Sequence, residues 1–296
     1  MTESELRELR RHKWRLDGCP VRTVEDAREF MESVGFCLLY PISAQDPGAR
    51  AGAEIVLPSF IGAWAGADEN LPTRQRAFAD PRAQQATELA VRLLRERSAY
   101  EASVFGEDSL LVAASVFPYF YALAGDRNPR QQPRSDHSLS PLAQDVFGAI
   151  QRVGPVTKRR LAETLGGDLS EAAMDRALSE LAARLRITRV DYNPREGSSW
   201  DMLYRWSPNA VNEGLHLSVA VALSALLSKY LDCVIAADEK EMADFFSPLI
   251  AHSKIKEALN TLLAARELAF LHVGRRTLVQ VAPPPSTERR SSQRRA

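Results

Sequence analysis

The sequence predicts a mainly α-helical fold with small β-hairpins, organised as tandem winged-helix (helix-turn-helix) domains. Two observations predict it: residues 140–207 read as helix, helix, helix, strand, turn, strand, and residues 212–282 repeat that order. A third observation bounds it. The 296 residues are 45% hydrophobic and 26% charged, an ordinary globular composition with enough apolar material for a core and enough length for more than one small domain.

In the clearer block, Leu142, Val146, Ile150 and Val153 recur at helical spacing up to Gly154-Pro155, where proline lacks the N–H that would continue the helix. Thr157 is placed to cap the short KRRLAETL, which Gly166-Gly167 stops. Ser170 caps EAAMDRALSELAARLR, whose Met174, Leu178, Leu181 and Leu185 form one apolar stripe. ITRVDYN then reads as a strand, PREGSS as the turn, and WDMLYRW as the returning strand, with Trp200, Met202, Tyr204 and Trp206 alternating along it.

The later block repeats the order with a longer first helix. LSVAVALSALLSKYL is apolar on most sides and hence a buried helix, Asp238 caps EKEMADFF, Pro248 ends it, and Ser253 caps KIKEALNTLLAAREL. AFLHV, a tight turn at Gly274 and TLVQVA form the closing hairpin. The N-terminal stretch is less regular. SELRELRRHKWRL and TVEDAREFMESVG are helices, the second capped by Thr23, and GFCLLYPI is a β-like segment closed by Pro41. VLPSFIGAWAG is an apolar loop or short helix, RAQQATELAVRLLRERSAYEASVFG one long helix, and LLVAASVFPYFYALAG a helical segment interrupted by Pro118. Residues 125–138, rich in Pro, Arg, Gln and Asn, form the linker. The expected division is therefore 1–136 (winged-helix-like and helical), 137–210 and 211–283 (winged helices), and 284–296 (a disordered Pro/Ser/Arg-rich tail).

Lys and Arg (38) balance Asp and Glu (38), so any nucleic-acid binding has to come from local patches rather than the field of the whole chain. The apolar run at 215–227 is shorter than the roughly 18 to 20 residues that span a bilayer and is broken by His216, Ser218 and Ser224, so no membrane partner is expected. The charged N-terminus has no apolar signal segment, and Cys19, Cys37 and Cys233 show neither a disulfide framework nor metal-ligand spacing. A cytosolic chain without metal or cofactor is the expectation.

No GxSxG elbow, HExxH, P-loop or GxGxxG is present, and the five histidines are scattered. A hydrolase acting on a base can work through one carboxylate or amide that places a water, which leaves no spacing signature. Gln45 and Asp46 are candidates of that kind, although the same pair before Pro47-Gly48 also suits an Asx-type turn. Candidate phosphate contacts are Lys158, Arg159 and Arg160 at the start of a short helix, with Arg176, Arg184, Arg186 and Arg195 on the next helix and the wing. Arg127 and Arg130 in the linker and Arg275 and Arg276 in the later wing belong to the same set. Glu171, Asp175 and Glu180 on the outward face of the third helix oppose base-specific readout in a major groove.

The run GPVTKRRLAETLGG, then MDRALSELAARLRITRV with a wing and a Trp-ended strand, resembles the AlkZ/YcaQ-type bacterial DNA glycosylase superfamily, and LPSFIGAW with SVFPYFYAL resembles its AlkZ-related branch. The resemblance implies tandem winged helices around a DNA channel and a catalytic Gln-x-Gln or Gln-x-Asp pair shortly after a Leu-Gly. Setting Val34-Gly35 on that Leu-Gly places Leu38 and Tyr40 at the catalytic positions, and a leucine can neither orient a water nor stabilise a cationic sugar. Three readings follow. The first is a DNA-binding tandem winged-helix protein, in damage recognition or repair, contacting phosphates and lacking the family's chemistry. The second is an active glycosylase using the 38–46 region. The third is a winged-helix module for protein interaction, its partner unspecified.

Overall fold

The computed structural model describes residues 1–41, 56–73, 77, 80–103, 110–131, 139–166, 169–193 and 195–283. Helix α1 (Glu3–Lys13) precedes three stretches of similar build. The first runs α2 (Val24–Val34), β1 (Phe36–Leu38), α3 (Phe60–Ala65), α4 (Pro81–Arg95), β2 (Ala99–Ala102) and β3 (Leu110–Ala113), followed by α5 (Phe117–Ala124). The second runs α6 (Pro141–Val153), β4 (Val156–Thr157), α7 (Lys158–Leu165), α8 (Glu171–Ala182), β5 (Ile187–Asn193) and β6 (Gly197–Met202), and passes through α9 (Leu203–Trp206) and α10 (Pro208–His216). The third runs α11 (Val219–Val234), α12 (Glu239–Phe246), α13 (His252–Ala264), β7 (Leu268–Val273) and β8 (Arg276–Val281).

Each stretch therefore follows helix, strand, helix, helix, strand, strand. The last strand lies in the middle of an antiparallel sheet, in the orders β1-β3-β2 and β4-β6-β5. In the third stretch the first strand shrinks to a single bridge, Ala237 to Val279 on β8. Local chemistry sets the helix starts. Thr23 and Asp238 form capping boxes with Asp26 and Glu241, and Thr157 and Ser170 accept from the N–H groups of Arg160 and Ala173.

Four expectations are corrected. The long helix predicted over residues 82–106 stops at Arg95, because Arg97 takes φ 59° and the AYEA that follows pairs with β3. Pro118 opens α5 instead of interrupting a helix, since a proline in the first turn has no intrahelical N–H bond to lose. Tyr204 and Trp206 lie on the short helix α9, where the buried Leu203 joins the main core and Arg205 reaches back one turn to Asp201. Ser253 sits inside α13 behind a non-capping Ala251, whereas the helix expected over LSVAVALSALLSKYL is present as α11, capped by Ser218 after a bend of 113° from α10. Among the described residues no single helix is long and apolar enough to cross a membrane.

The first and third stretches share one core. Phe36 stacks on Phe245 at 5.7 Å between ring centroids and meets Phe120 edge-on at 5.4 Å, while Tyr230 stacks on Phe245 at 4.9 Å. Such pairs add about 0.5–1.5 kcal/mol beyond the area they bury. The second stretch has its own core of Val146, Phe147, Ile150, Leu161, Met174, Leu178, Leu181 and Met202. It is joined to the first by polar contacts: Arg189 to Glu101 at 2.6 Å, Arg95 to Asp191, and Tyr100 Oη to Ser207 Oγ at 2.5 Å.

A repeated device fixes the far end of each first helix, whose last carbonyls have no partner within the helix. Lys229 Nζ donates to Glu32 O and Ser33 O at the end of α2, both at 2.9 Å. Arg205 donates to Ile150 O and Gln151 O at the end of α6. Arg10 of α1 donates to Val234 O at 2.8 Å and to Ala236 O at 2.7 Å beyond α11. A cation at a helix C-terminus also complements the macrodipole. Helix α1 is seated further by Leu6, which packs on Ala236, Val273 and Leu278.

Candidate nucleic-acid interface

The second stretch presents α7 and α8 as a helix pair and β5–β6 as a projecting hairpin. The side chains expected to meet phosphates do not form one uniform patch. Lys158 Nζ sits 2.8 Å from Glu171 Oε1 and 2.9 Å from Asp175 Oδ1, bridging α7 to the start of α8. Burial works to lower the Lys158 ammonium, but the hydrogen bonds to these carboxylates outweigh it and hold it above the ordinary lysine value. In return Lys158 pulls the Glu171 carboxyl below its usual range. Arg159 pairs with Glu163 one turn on, at 3.1 Å.

Arg186 does not face solvent at all, which overturns its expected contact with phosphate. It is 5% exposed, its guanidinium is paired with Asp126, it donates to Gln131 O at 3.0 Å, and it lies over the Phe147 ring at 5.2 Å. A buried guanidinium persists only when paired in this way. It fastens the residues after α5 to the second core. Arg127 donates to Leu215 O and Ala122 O, and Arg130 lies over Tyr204 at 5.8 Å. Arg184 is half-buried and engaged.

Arg160 on α7, Arg176 on α8 and Arg195 at the tip of the hairpin are exposed. The acidic residues expected to repel a groove are engaged within the protein. Glu171 and Asp175 hold Lys158, and the Glu180 carboxylate accepts from Ser140 N at 2.8 Å. In the third stretch Arg276 is tied to Asp238 and Glu241 at 2.9 and 2.7 Å, which leaves Arg275 exposed at the turn. Sequence reasoning passed over α13, the counterpart of α8. Its first turns expose His252, Ser253, Lys254 and Lys256, a more basic face than that of α8. The signal was present in the run HSKIKEALN, since only Ile255 and Leu259 of it are fully buried.

The strand assigned to chemistry by the family resemblance is part of the core. Leu38 is 5% exposed, pairs with Leu110 across β1 and β3, and donates its N–H to Pro58 O at 2.9 Å. The Tyr40 hydroxyl bonds Thr87 Oγ1 at 2.6 Å, and its ring packs against Ile61, Ala83 and Ala86. Leu38 has no polar atom with which to place a water, and the Tyr40 hydroxyl is engaged by Thr87. Gln45 and Asp46 lie outside the described residues. Among the described residues no group of three or more His, Cys, Asp or Glu is arranged to hold a metal ion.

A family profile described as AlkZ related matches residues 21–247. A search of curated proteins finds no match. Among solved structures, the DNA glycosylase AlkZ of Streptomyces sahachiroi superposes with a TM-score of 0.57 over 95% of this chain and 70% of its own, at 13% identity, a likeness of fold.

Proposed function

The chain belongs to the AlkZ-related family, and from that premise we propose that it is a DNA-binding tandem winged-helix protein acting in recognition or repair of damaged DNA. The observation that carries the reading is the threefold recurrence of helix, strand, helix, helix, strand, strand with the last strand central in the sheet. That is the order in which a winged helix offers its second paired helix to a groove and its hairpin to the backbone. The DNA glycosylase named among the solved structures supports the choice of DNA as the partner. Contact is made through phosphates, by Arg160, Arg176 and Arg195 of the second unit and by Arg275 of the third. Excision of a base through positions 38 and 40 is not part of this function, because a buried leucine and a tyrosine bonded to Thr87 stand there.

Binding to labelled duplex and nicked DNA across a salt series tests the reading. Affinity should fall steeply with salt, and Arg160→Ala/Arg176→Ala/Arg195→Ala should flatten the logarithmic slope by about 0.9 per lost phosphate contact. Lys158→Ala and Arg159→Ala should change it little, since both cations are already paired. No affinity at low salt would replace DNA by a protein partner. Release of free base from alkylated DNA would restore the glycosylase reading and direct attention to Gln45 and Asp46.

A further inference from the structure

The residue that follows α11 stands in a backbone conformation that branched side chains avoid. Ile235 has φ 68° and ψ −51°, and Ala236 N donates to Val234 O at 2.8 Å, which closes a γ-turn on Ile235. A β-branched residue at positive φ is a true outlier, retained only where the surroundings over-determine it. In the first unit the matching position, at the end of α2, is Gly35, with φ 77° and ψ −39° and no Cβ to strain. The surroundings that hold Ile235 are on α1. Arg10 reaches across with its guanidinium forked over the two carbonyls that flank the turn, Val234 O and Ala236 O, and Trp14 Nε1 donates to Cys233 O at 2.8 Å. Immediately after the turn, Ala237 exchanges both backbone hydrogen bonds with Val279 of β8, at 3.0 and 2.8 Å. Helix α1 and the β7–β8 hairpin both lie outside the residues 21–247 matched by the family profile, and they pack on one another through Leu6, Val273 and Leu278.

We propose that α1 and the turn at Ile235 form a latch: Arg10 holds Ile235 in its γ-turn, and release of Arg10 lets the turn relax and detaches Ala237 from β8. The strain transmits the change. Without the clamp, the isoleucine returns to an ordinary extended or helical conformation, which turns the chain at Ala237 away from Val279. The freed edge of β8 then presents unpaired backbone groups to solvent or to a strand from elsewhere. The device is independent of whether the protein binds DNA.

Amide hydrogen exchange in the full chain tests this residue by residue. Arg10→Ala should accelerate exchange at Ala237 and Val279 by at least about tenfold, together with the α1 amides, since hydrogen bonds from a charged donor are lost. In Ile235→Gly the same Arg10→Ala change should still loosen α1 but leave Ala237 and Val279 near the rates of the Ile235→Gly parent, because glycine keeps the turn without a clamp. Equal acceleration at Ala237 and Val279 in both backgrounds would overturn transmission by strain. So would faster α1 exchange with Ala237 and Val279 unchanged in the otherwise native chain. Should Arg10→Ala fail to fold, Arg10→Lys keeps the charge while removing the two-pronged grip, and the same outcomes decide.

Discussion

Leucine at position 38 is a packing residue where the family resemblance would set a catalytic polar group. It faces Leu110 on the neighbouring strand and is almost fully enclosed. Leu38→Gln is therefore expected to destabilise the protein by about 1–3 kcal/mol, because a buried amide without partners loses its hydration. A lower thermal midpoint together with no base release from alkylated DNA would show it, whereas a stable variant that releases base would show a site capable of chemistry. That mismatch was legible in the sequence, from the spacing after Val34-Gly35 alone. The fates of the arginines were not. Arg184 and Arg186 are near neighbours on the chain, yet Arg186 is enclosed by Asp126, Gln131 and Phe147, partners brought together only by the tertiary fold. Lys158 likewise reads as a free cation until α8 places two carboxylates beside it.

At the scale of elements, the ends of helices were read best. Thr23, Thr157, Ser170 and Asp238 cap as their side-chain chemistry requires, and Gly166 stops α7 in the left-handed conformation. The errors arose where the backbone changes within a short stretch of mixed composition, as at ERSAYEA (96–102) and LYRW (203–206), since periodicity over a few residues cannot separate strand from helix. The cations that close the first helices were invisible for another reason: Lys229 and Arg10 act on α2 and α11 from far along the chain. Gly35 shows how closely one of them sits, because a Cβ added there would lie 2.4 Å from Lys229 Cε. Gly35→Ala combines that collision with a positive φ and is expected to cost about 1–2 kcal/mol. Measured against Lys229→Ala, which loses the same lysine hydrogen bonds, Lys229→Ala/Gly35→Ala should show only the backbone cost, so chemical denaturation of the four chains separates it from the collision.

For the molecule as a whole, the division of cores matters more than the division of the sequence. The second unit encloses most of its own apolar residues, Leu185 and Leu203 excepted, while the first and third complete a single aromatic cluster. A fragment of residues 139–207 is expected to fold cooperatively with a sharp thermal transition. A fragment of residues 1–131 should remain loosely packed and bind a hydrophobic dye, since Phe36 and Phe120 would lack Tyr230 and Phe245. A sharp transition in the N-terminal fragment would refute the shared core.

That shared core also bears on how the protein comes into being on the ribosome. At about 5–20 residues per second, Phe36 is made roughly 10 to 40 s before the Tyr230 that covers it. During that interval the first unit must wait with an uncovered aromatic face, while the second emerges and closes without it. The early segment, not the late one, is where a nascent chain of this protein would be captured by a chaperone.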